Sequence, residues 1–389
     1  MGLFDRLFGR QPEEPKGQLV GSYRMINGYT PVFHRFNGSI YESELVRAAI
    51  NAISVNCGKL QVTFQGAAKP PLQTKLKRSP NEVQTWSQFL ARLATILYVH
   101  NTAFIVPTFD QYGDMTGVYS LLPDRCEVVG YKQGKEVVPY LRYKFRWGET
   151  AAIELARVGI MTRYQYRDDL FGEPNGALIP TMELISMQNQ GIREGVKSAA
   201  SYRFMAKLSN FAKPDDLKKE RIRFTEENFS RDSEASGILL FPNTYSDIKQ
   251  VEAKPFIVDA EQEKLIRENV FDYFGVNEDV IQSKAYGDAW SAFYEAVIEP
   301  FAIQFSEVLT KMLFTAREQA QGSRVTATSN RLQYMTNKDK LDVSSQMLDR
   351  GLMTRNEVRE IWNLPPVDGG DEMLVRAEYI NMTERTDEE

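Results

Sequence analysis

Residues 290–313, with the sequence WSAFYEAVIEPFAIQFSEVLTKML, carry the strongest helical pattern in the chain. Apolar side chains recur at every third or fourth position over about six turns, the period of a helix with one buried face. Pro300 lies inside this pattern, where it cannot donate a hydrogen bond to the carbonyl of Ala296 and bends the helix axis. We therefore predict a long, kinked helix over residues 290–317.

A second helix and a polar loop precede the long helix. Asp259 and Gln262 have the spacing of an N-terminal capping pair, and Gly275 is a typical residue for a helix stop. These signals predict a helix over residues 258–275, which is followed by a loop over residues 276–289.

A third helix is predicted over residues 178–205. It places Gly191, Gly195 and Ala199 four residues apart on one face. A glycine inside a helix costs about 1 kcal/mol relative to alanine, so two of them on one face need a reason. A face of small residues lets another backbone approach closely. The alternative is that the helix frays or bends there.

Residues 206–257 separate the helices predicted at 178–205 and 258–275, and the first part of this segment is unusually polar. Residues 206–236 hold seven basic and seven acidic side chains, so they carry no net charge. Such a segment is typical of a solvated excursion or a polar contact surface. Strand patterns follow at residues 237–241 and 247–251.

The first half of the chain is predicted to be α+β. Residues 1–38 are rich in Pro, Gly and polar groups and are predicted to form an N-terminal arm. In residues 39–177, helical patterns lie beside short strands, which favours helices packed on antiparallel sheets. The signals are a helix from residue 39 to 58, a helix after the capping box Thr85/Gln88, and strands at 60–64, 103–106, 118–122, 137–146 and 158–164.

The C-terminal part is predicted to be a small helical region over residues 318–375, with an acidic tail over residues 376–389. One helix is expected at residues 337–350, and a short one after the capping box Thr354/Glu357.

The charge of the 389-residue chain is nearly balanced, with 47 Lys and Arg against 52 Asp and Glu. The last 19 residues hold seven acids and two bases, so residues 1–370 have 45 of each sign. Proteins that grip nucleic acid by its phosphates normally show a basic excess. We expect this protein, where it meets DNA, to handle it without tight binding. No apolar run approaches the roughly 20 residues that cross a bilayer, so no membrane association is expected.

Catalytic signatures are missing from the sequence. It has no phosphate-binding loop, no dinucleotide-binding glycine motif, no nucleophile elbow and no H-E-x-x-H pair. The only histidines are His34 and His100, and the only cysteines are Cys57 and Cys126, which we expect to be reduced and buried. We therefore expect no enzymatic activity, no cofactor and no metal site.

Three segments, in this order, resemble the portal proteins of tailed bacteriophages. The first runs from Ser79-Pro80-Asn81 through a helix to Asn101-Thr102-Ala103-Phe104-Ile105 and Leu121-Leu122-Pro123; the second contains Phe274-Gly275-Val276, Ile281, Tyr286 and Phe293 to Glu299-Pro300; the third contains Gly351-Leu352-Met353-Thr354-Arg355-Asn356-Glu357-Val358-Arg359, Leu364-Pro365-Pro366 and Gly369-Gly370-Asp371. The chain departs from the family where Asn101 stands in place of a usual Gly, and where Asn277 replaces the Pro after Gly-Val.

The resemblance implies a subunit with a wing, two stem helices, a clip and a crown. Their positions would be 39–177 for the wing, 178–205 and 258–275 for the paired stem helices, 206–257 for a small β-containing clip, 276–289 for a channel loop, 290–317 for the kinked wing helix and 318–375 for the crown. Twelve subunits usually form a ring at one capsid vertex of the virion, assembled in the host bacterial cytoplasm.

The resemblance also implies partners and site residues. The partners would be further copies of the chain, the terminase large subunit, a head–tail adaptor, capsid and scaffold proteins, and double-stranded DNA that passes without sequence specificity. The candidate residues are Lys284, Tyr286 and Asp288 for the channel, Gly191, Gly195 and Ala199 for stem packing, and Lys218, Lys219, Arg221 and Arg223 for clip contacts.

Two other readings remain open on the sequence. One is a different virion component, such as a head–tail adaptor or a minor capsid protein, which would bind a ring or shell without assembling itself. The other is an enzyme whose site no motif reveals, with a closed pocket that carries converging polar groups.

Overall fold

The structure is a computed structural model, and it describes residues 19–22, 40–133, 136–146, 148–199, 204–208, 219, 222, 245–250, 260–329, 337–362 and 364–374. The chain divides into two compact units. The first comprises Met1–Pro180 together with Arg267–Glu389, and the second is Thr181–Ile266.

The first unit mixes helices and strands from its beginning. Up to residue 162 its elements are β1 (Leu19–Ser22), α1 (Glu44–Cys57), β2 (Gln61–Gln65), α2 (Pro70–Arg78), α3 (Trp86–His100), β3 (Thr102–Phe109), β4 (Met115–Leu121), β5 (Cys126–Gln133), β6 (Glu136–Lys144), β7 (Thr150–Glu154) and β8 (Gly159–Thr162). The predicted α+β class is confirmed.

The remaining described elements belong to the second unit and to the C-terminal part of the first. They are α4 (Ile179–Ala199), β9 (Phe204–Leu208), β10 (Tyr245–Gln250), α5 (Ala260–Phe274), α6 (Glu278–Ile281), α7 (Asp288–Phe293), a π-helical segment (Tyr294–Ile298), α8 (Glu299–Leu313), α9 (Ala316–Ala320), β11 (Arg324–Thr328), α10 (Asn337–Asp349) and α11 (Arg355–Ile361). Within the described residues, no helix is both long and apolar enough to cross a membrane.

Among the described strands of the first unit, antiparallel pairing builds three sheets. One has the strand order β1-β5-β6-β7, a second has the order β4-β3-β8, and the third pairs β2 with β11. β3 is central in its sheet and almost entirely buried, which explains why its sequence TAFIVPTF shows no polar alternation.

Aromatic side chains from three elements of the first unit meet around the half-buried ring of Trp86. Its centroid lies 5.6 Å from that of Phe89, 6.2 Å from that of Phe305 and 6.3 Å from that of Phe64. These residues bring α3, α8 and β2 together. The Trp86 indole N–H is satisfied by the carbonyl of Leu76, which lies on α2. Burial of such large aromatic groups dominates the stabilisation of a core.

The predicted long helix is present as a continuous helical run from α7 through the π-helical segment to α8. The π-helical segment ends at Ile298, two residues before Pro300. Because proline lacks an N–H and its ring crowds the preceding turn, a wider turn at this point accommodates it. The helix ends at Leu313 and not at residue 317, because Thr315 caps a new short helix.

Two local features differ from the sequence predictions. Helix α2 is not among the predicted helices, although Pro70 stands at its first turn, where proline is favoured. Strand β11, which falls in the predicted crown, pairs with β2, which falls in the predicted wing, so the two predicted segments share a sheet.

The second unit contains α4, the antiparallel pair β9–β10 and the beginning of α5. The first stem helix was predicted to extend to residue 205, but α4 ends at Ala199, and Phe204 and Met205 belong to β9. The predicted strand at 237–241 and the capping residue Asp259 lie outside the described residues.

Candidate functional site

The loop between α5 and α7 is held at its entry by local hydrogen bonds. At the end of α5 the N–H of Val276 donates to the carbonyl of Phe271 at 3.0 Å, and the N–H of Gly275 donates to that of Asp272 at 3.0 Å. Gly275 has φ +72°, so this is a Schellman ending. Asn277 then caps α6, accepting a bond from the N–H of Val280. Asn277, which stands where the portal proteins usually have proline, therefore serves as the N-cap of α6.

The tip of this loop projects the three candidate channel residues into solvent. Lys284 and Asp288 are exposed, and Tyr286 is 69% exposed. The backbone here is fixed, because the N–H groups of Lys284 and Ala285 both donate to the carbonyl of Asp279, at 2.7 and 3.1 Å. Two of the three candidate side chains thus stand on a defined turn, and Asp288 begins α7 directly after it.

A groove of about 530 Å³ lies between this loop and helix α1. Tyr286 and Trp290 line one side, and Asn56, Lys59 and Lys340 also reach it. The Lys59 ammonium lies 5.8 Å from the centre of the Trp290 ring, and partial burial lowers the pKa of Lys59. Sequence reasoning missed these groups, because Lys59 and Lys340 meet the loop only through the tertiary fold.

Helix α4 carries an apolar stripe that its own chain leaves in solvent. Leu184 is 50% exposed and Met187 is 65% exposed. At 100° per residue, these two positions, Gly191 and Gly195 fall within a sector of about 80° of the helix surface. Gly195 and Ala199 lie in the helix, but their surroundings fall outside the described residues.

The clip candidates are mostly outside the described residues. Lys219 is helical and exposed, whereas Lys218, Arg221 and Arg223 are not described. The exposure of Lys219 is compatible with a contact residue. The described residues do not show the four candidates as a cluster.

A buried polar network, which the sequence did not reveal, lies in the first unit. Tyr273, on the last turn of α5, donates its hydroxyl to Oδ1 of Asn175 at 2.7 Å. The side-chain amide of Asn175 donates to the carbonyls of Tyr98 and Val99, both at 3.0 Å. Burial raises the pKa of Tyr273 to about 12, so its hydroxyl stays a donor. Asn175 lies just before α4, so the network joins the chain at the ends of two predicted stem helices.

Asn101 completes this network and explains another departure from the family. It ends α3 with φ 54°, a left-handed conformation that glycine adopts freely and asparagine tolerates. Its side chain donates to the carbonyl of Glu173 at 2.7 Å, and its carbonyl accepts the N–H of Arg163 at 2.9 Å. Asn101 therefore satisfies the same backbone requirement and adds a hydrogen bond.

Burial shifts the pKa of both cysteines and of His100. Burial raises the pKa of the Cys57 thiol far above its usual value, and it raises that of Cys126 as well. Both cysteines are free; Cys57 is buried as expected, but Cys126 is only partly buried. Burial lowers the pKa of His100. Within the described residues, no group of His, Cys, Asp or Glu could hold a metal ion.

Comparison with solved structures shows which known fold this arrangement matches. The chain is similar to a protein in the neck of an empty gene transfer agent (GTA) particle, with TM-score 0.57 and 15% identity, covering 87% of this chain and 96% of that one. A protein of the native GTA virion matches with TM-score 0.56, 17% identity and coverage of 87% and 96%. A protein in the neck of the native GTA particle, computed with C12 symmetry, matches with TM-score 0.53, 16% identity and coverage of 85% and 92%.

At these identities the likeness establishes the fold. No individually curated protein matches the chain. The family model described as "Phage portal protein" matches residues 44–363. This match confirms the resemblance that was based on three short segments. Because it spans most of the sequence, the chain belongs to the phage portal protein family.

Proposed function

We propose that this protein forms a homo-oligomeric ring of twelve subunits at one capsid vertex of a virion, and that the ring is a conduit for DNA during packaging and ejection. The family match over residues 44–363 is the observation that carries this proposal. The related fold of proteins in GTA particle necks supports it.

The exposed stripe of α4 supports self-assembly. Leu184 and Met187 expose about half or more of their surfaces in the single chain. Apolar side chains grouped on one helix face are typical of a surface that another protein covers. In a ring, the corresponding helices of neighbouring subunits would cover it, and Gly191 would allow their close approach.

The charge balance supports a conduit that does not hold DNA. Each phosphate contact with a Lys or Arg adds affinity that must be broken as DNA slides. Residues 1–370 carry 45 charges of each sign, so the chain has no basic excess. The loop tip with Lys284, Tyr286 and Asp288 would face the channel and touch DNA weakly and without sequence preference.

The proposed partners follow from this role. They are the terminase large subunit that pumps the DNA, a head–tail adaptor, and the capsid and scaffold proteins, with assembly in the host bacterial cytoplasm. The mixed charges of residues 206–236, including Lys218, Lys219, Arg221 and Arg223, would contact terminase or the adaptor. We propose no catalytic activity for the protein itself.

Negative-stain electron microscopy with mass determination tests the ring. The expected result is a ring with an axial channel and a mass that is an integer multiple of 44.5 kDa, twelvefold if the subunit number holds. A chain that stays monomeric when concentrated and when mixed with scaffold protein would contradict the proposal. Binding to preformed rings without self-assembly would identify an adaptor instead.

Deletion of residues 283–287 tests the channel loop. We expect rings in normal yield, because the entry bonds at Gly275 and Asn277 lie outside the deletion. Packaged DNA per particle should fall several-fold, as measured by nuclease protection. A chain with Lys284, Tyr286 and Asp288 changed to alanine separates the side chains from the loop length.

Tyr112→Ala is the control for the loop deletion. Tyr112 is 82% exposed in the turn between β3 and β4, away from the loop. This variant should package normally. Normal packaging by the deletion variant would remove the loop from the mechanism.

A further inference from the structure

A cavity of about 400 Å³ lies in the first unit between two of its sheets. The β3–β4 hairpin forms one wall, and β6 and β7 form the other. The buried side chains of Val106 and Leu141 lie at its floor, and the partly exposed Leu121 and Ile153 continue the apolar surface. A cavity of this size and composition suits a few apolar side chains.

The rim of the cavity is positively charged. Arg92, Arg125 and Arg146 are among the residues that line it, and no acidic side chain is among those described. Arg92 is held in place by bonds to the carbonyl and hydroxyl of Ser120, at 3.1 and 3.2 Å. Arg146 is exposed. Asp124 lies close enough to act on Tyr143, but it does not line the cavity.

One wall of the cavity is also a sheet edge. Among the described strands, β7 is hydrogen-bonded to β6 alone, and its residues Ala151, Ala152 and Ile153 line the cavity. An uncovered edge without charged side chains at its centre is a place where an extended peptide can add to a sheet. The cavity therefore offers backbone pairing, apolar contact and positive charge together.

The chain itself contains a segment with the complementary chemistry. Residues 371–389, DEMLVRAEYINMTERTDEE, hold seven acids and two bases, with apolar side chains between them. The described beginning of this segment already exposes apolar groups, because Met373 is 58% and Leu374 is 43% exposed. Acidic groups spaced along apolar ones match an apolar cavity with an arginine rim.

We propose that the cavity lined by Val106, Leu121, Leu141 and Ile153 binds the C-terminal segment 371–389 of this protein. Apolar side chains of the segment occupy the floor, and its carboxylates pair with Arg92, Arg125 and Arg146. The proposal does not depend on the ring, so its failure and that of the proposed function are distinguishable.

Photo-crosslinking of the full-length chain tests this docking. Tyr119 lines the cavity, so Tyr119→p-benzoylphenylalanine places a reactive group inside it. Mass spectrometry should find crosslinks to peptides from residues 371–389. The same substitution at Tyr112, on the turn of the same hairpin, is the matched control and should give none. Crosslinks from Tyr119 to other segments, or no crosslink, would overturn the proposal.

A second experiment tests whether the arginines of the cavity pair with the acidic residues of the segment. Arg146→Glu should lower the crosslink yield about fivefold, the upper range for one exposed ion pair. In a second chain all seven acids of residues 371–389 are changed to Asn or Gln. In that chain, Arg146→Glu should leave the crosslink yield unchanged, because residue 146 has no carboxylate of residues 371–389 left to pair with. An equal loss in both chains would show that Arg146 does not act through the acidic segment.

Discussion

A chain with Met187→Asp is expected to fold as a subunit and to form no rings. Met187 is 65% exposed in the single chain, so a carboxylate there meets water and leaves the fold intact. In the proposed ring the same position is covered by a neighbouring subunit. Burying an unpaired charge costs several kcal/mol at each contact, and every contact around the ring would carry that cost. Size-exclusion chromatography with light scattering measures the loss.

Ser186→Asp is the matched control for this variant. Residue 186 is exposed on the same helix, about 100° from Met187 and on the far side of the stripe. It should assemble like the unaltered chain. Gly195→Leu provides a second test by bulk alone, because a leucine would hold neighbouring backbones apart. Rings in normal yield from Met187→Asp and Gly195→Leu would exclude α4 as a contact surface.

Gly172→Ala is expected to destabilise the first unit strongly. A Cβ atom at residue 172 would collide with the carbonyl oxygens of Arg163 and Asn101, which are backbone atoms. Neither can move freely, because the carbonyl of Asn101 accepts the N–H of Arg163 and the N–H of Gly172 donates to Thr102 Oγ1. Overpacking of this kind costs about 2–3 kcal/mol.

Urea unfolding, followed by tryptophan fluorescence, measures this cost as a lower midpoint with an unchanged slope. Gly176→Ala is the matched control, four residues away, because a Cβ there meets no atom within 4 Å. The urea midpoint of Gly176→Ala should be close to that of the unaltered chain. Equal midpoints for the two variants would show that the close approach at Gly172 relaxes without cost.

Local signals in the sequence predicted local structure well. The capping boxes at Thr85 and Thr354 are both present, because each depends on chemistry within four residues. Helix α2 was not predicted because Pro70 and Pro71 are poor helix residues in general, although the first turn of a helix is the place that favours proline. The pairing of β11 with β2 was not predictable, since no local pattern specifies a partner at that distance in sequence.

For the candidate site, too, local features could be predicted from the sequence and tertiary contacts could not. The exposure of Lys284, Tyr286 and Asp288 agrees with a polar loop that can be recognised in the sequence. The network of Asn175 and Tyr273 could not be predicted, because its members are 98 residues apart and each is an ordinary residue alone. The cavity beside β7 was missed for the same reason, as its walls come from separate sheets.

The pairing of β2 with β11 has a consequence for synthesis of the protein. The side-chain hydroxyl oxygens of Thr63 and Thr326 lie 2.7 Å apart, although the two residues are 263 positions apart in the sequence. A ribosome that adds about 5–20 residues per second needs about 13–50 s to make the intervening chain. During that interval α3 has emerged, but helix α8, whose Phe305 packs against Trp86 and Phe89 of α3, has not. Each nascent chain therefore carries apolar helix surface that stays uncovered until its last third is made.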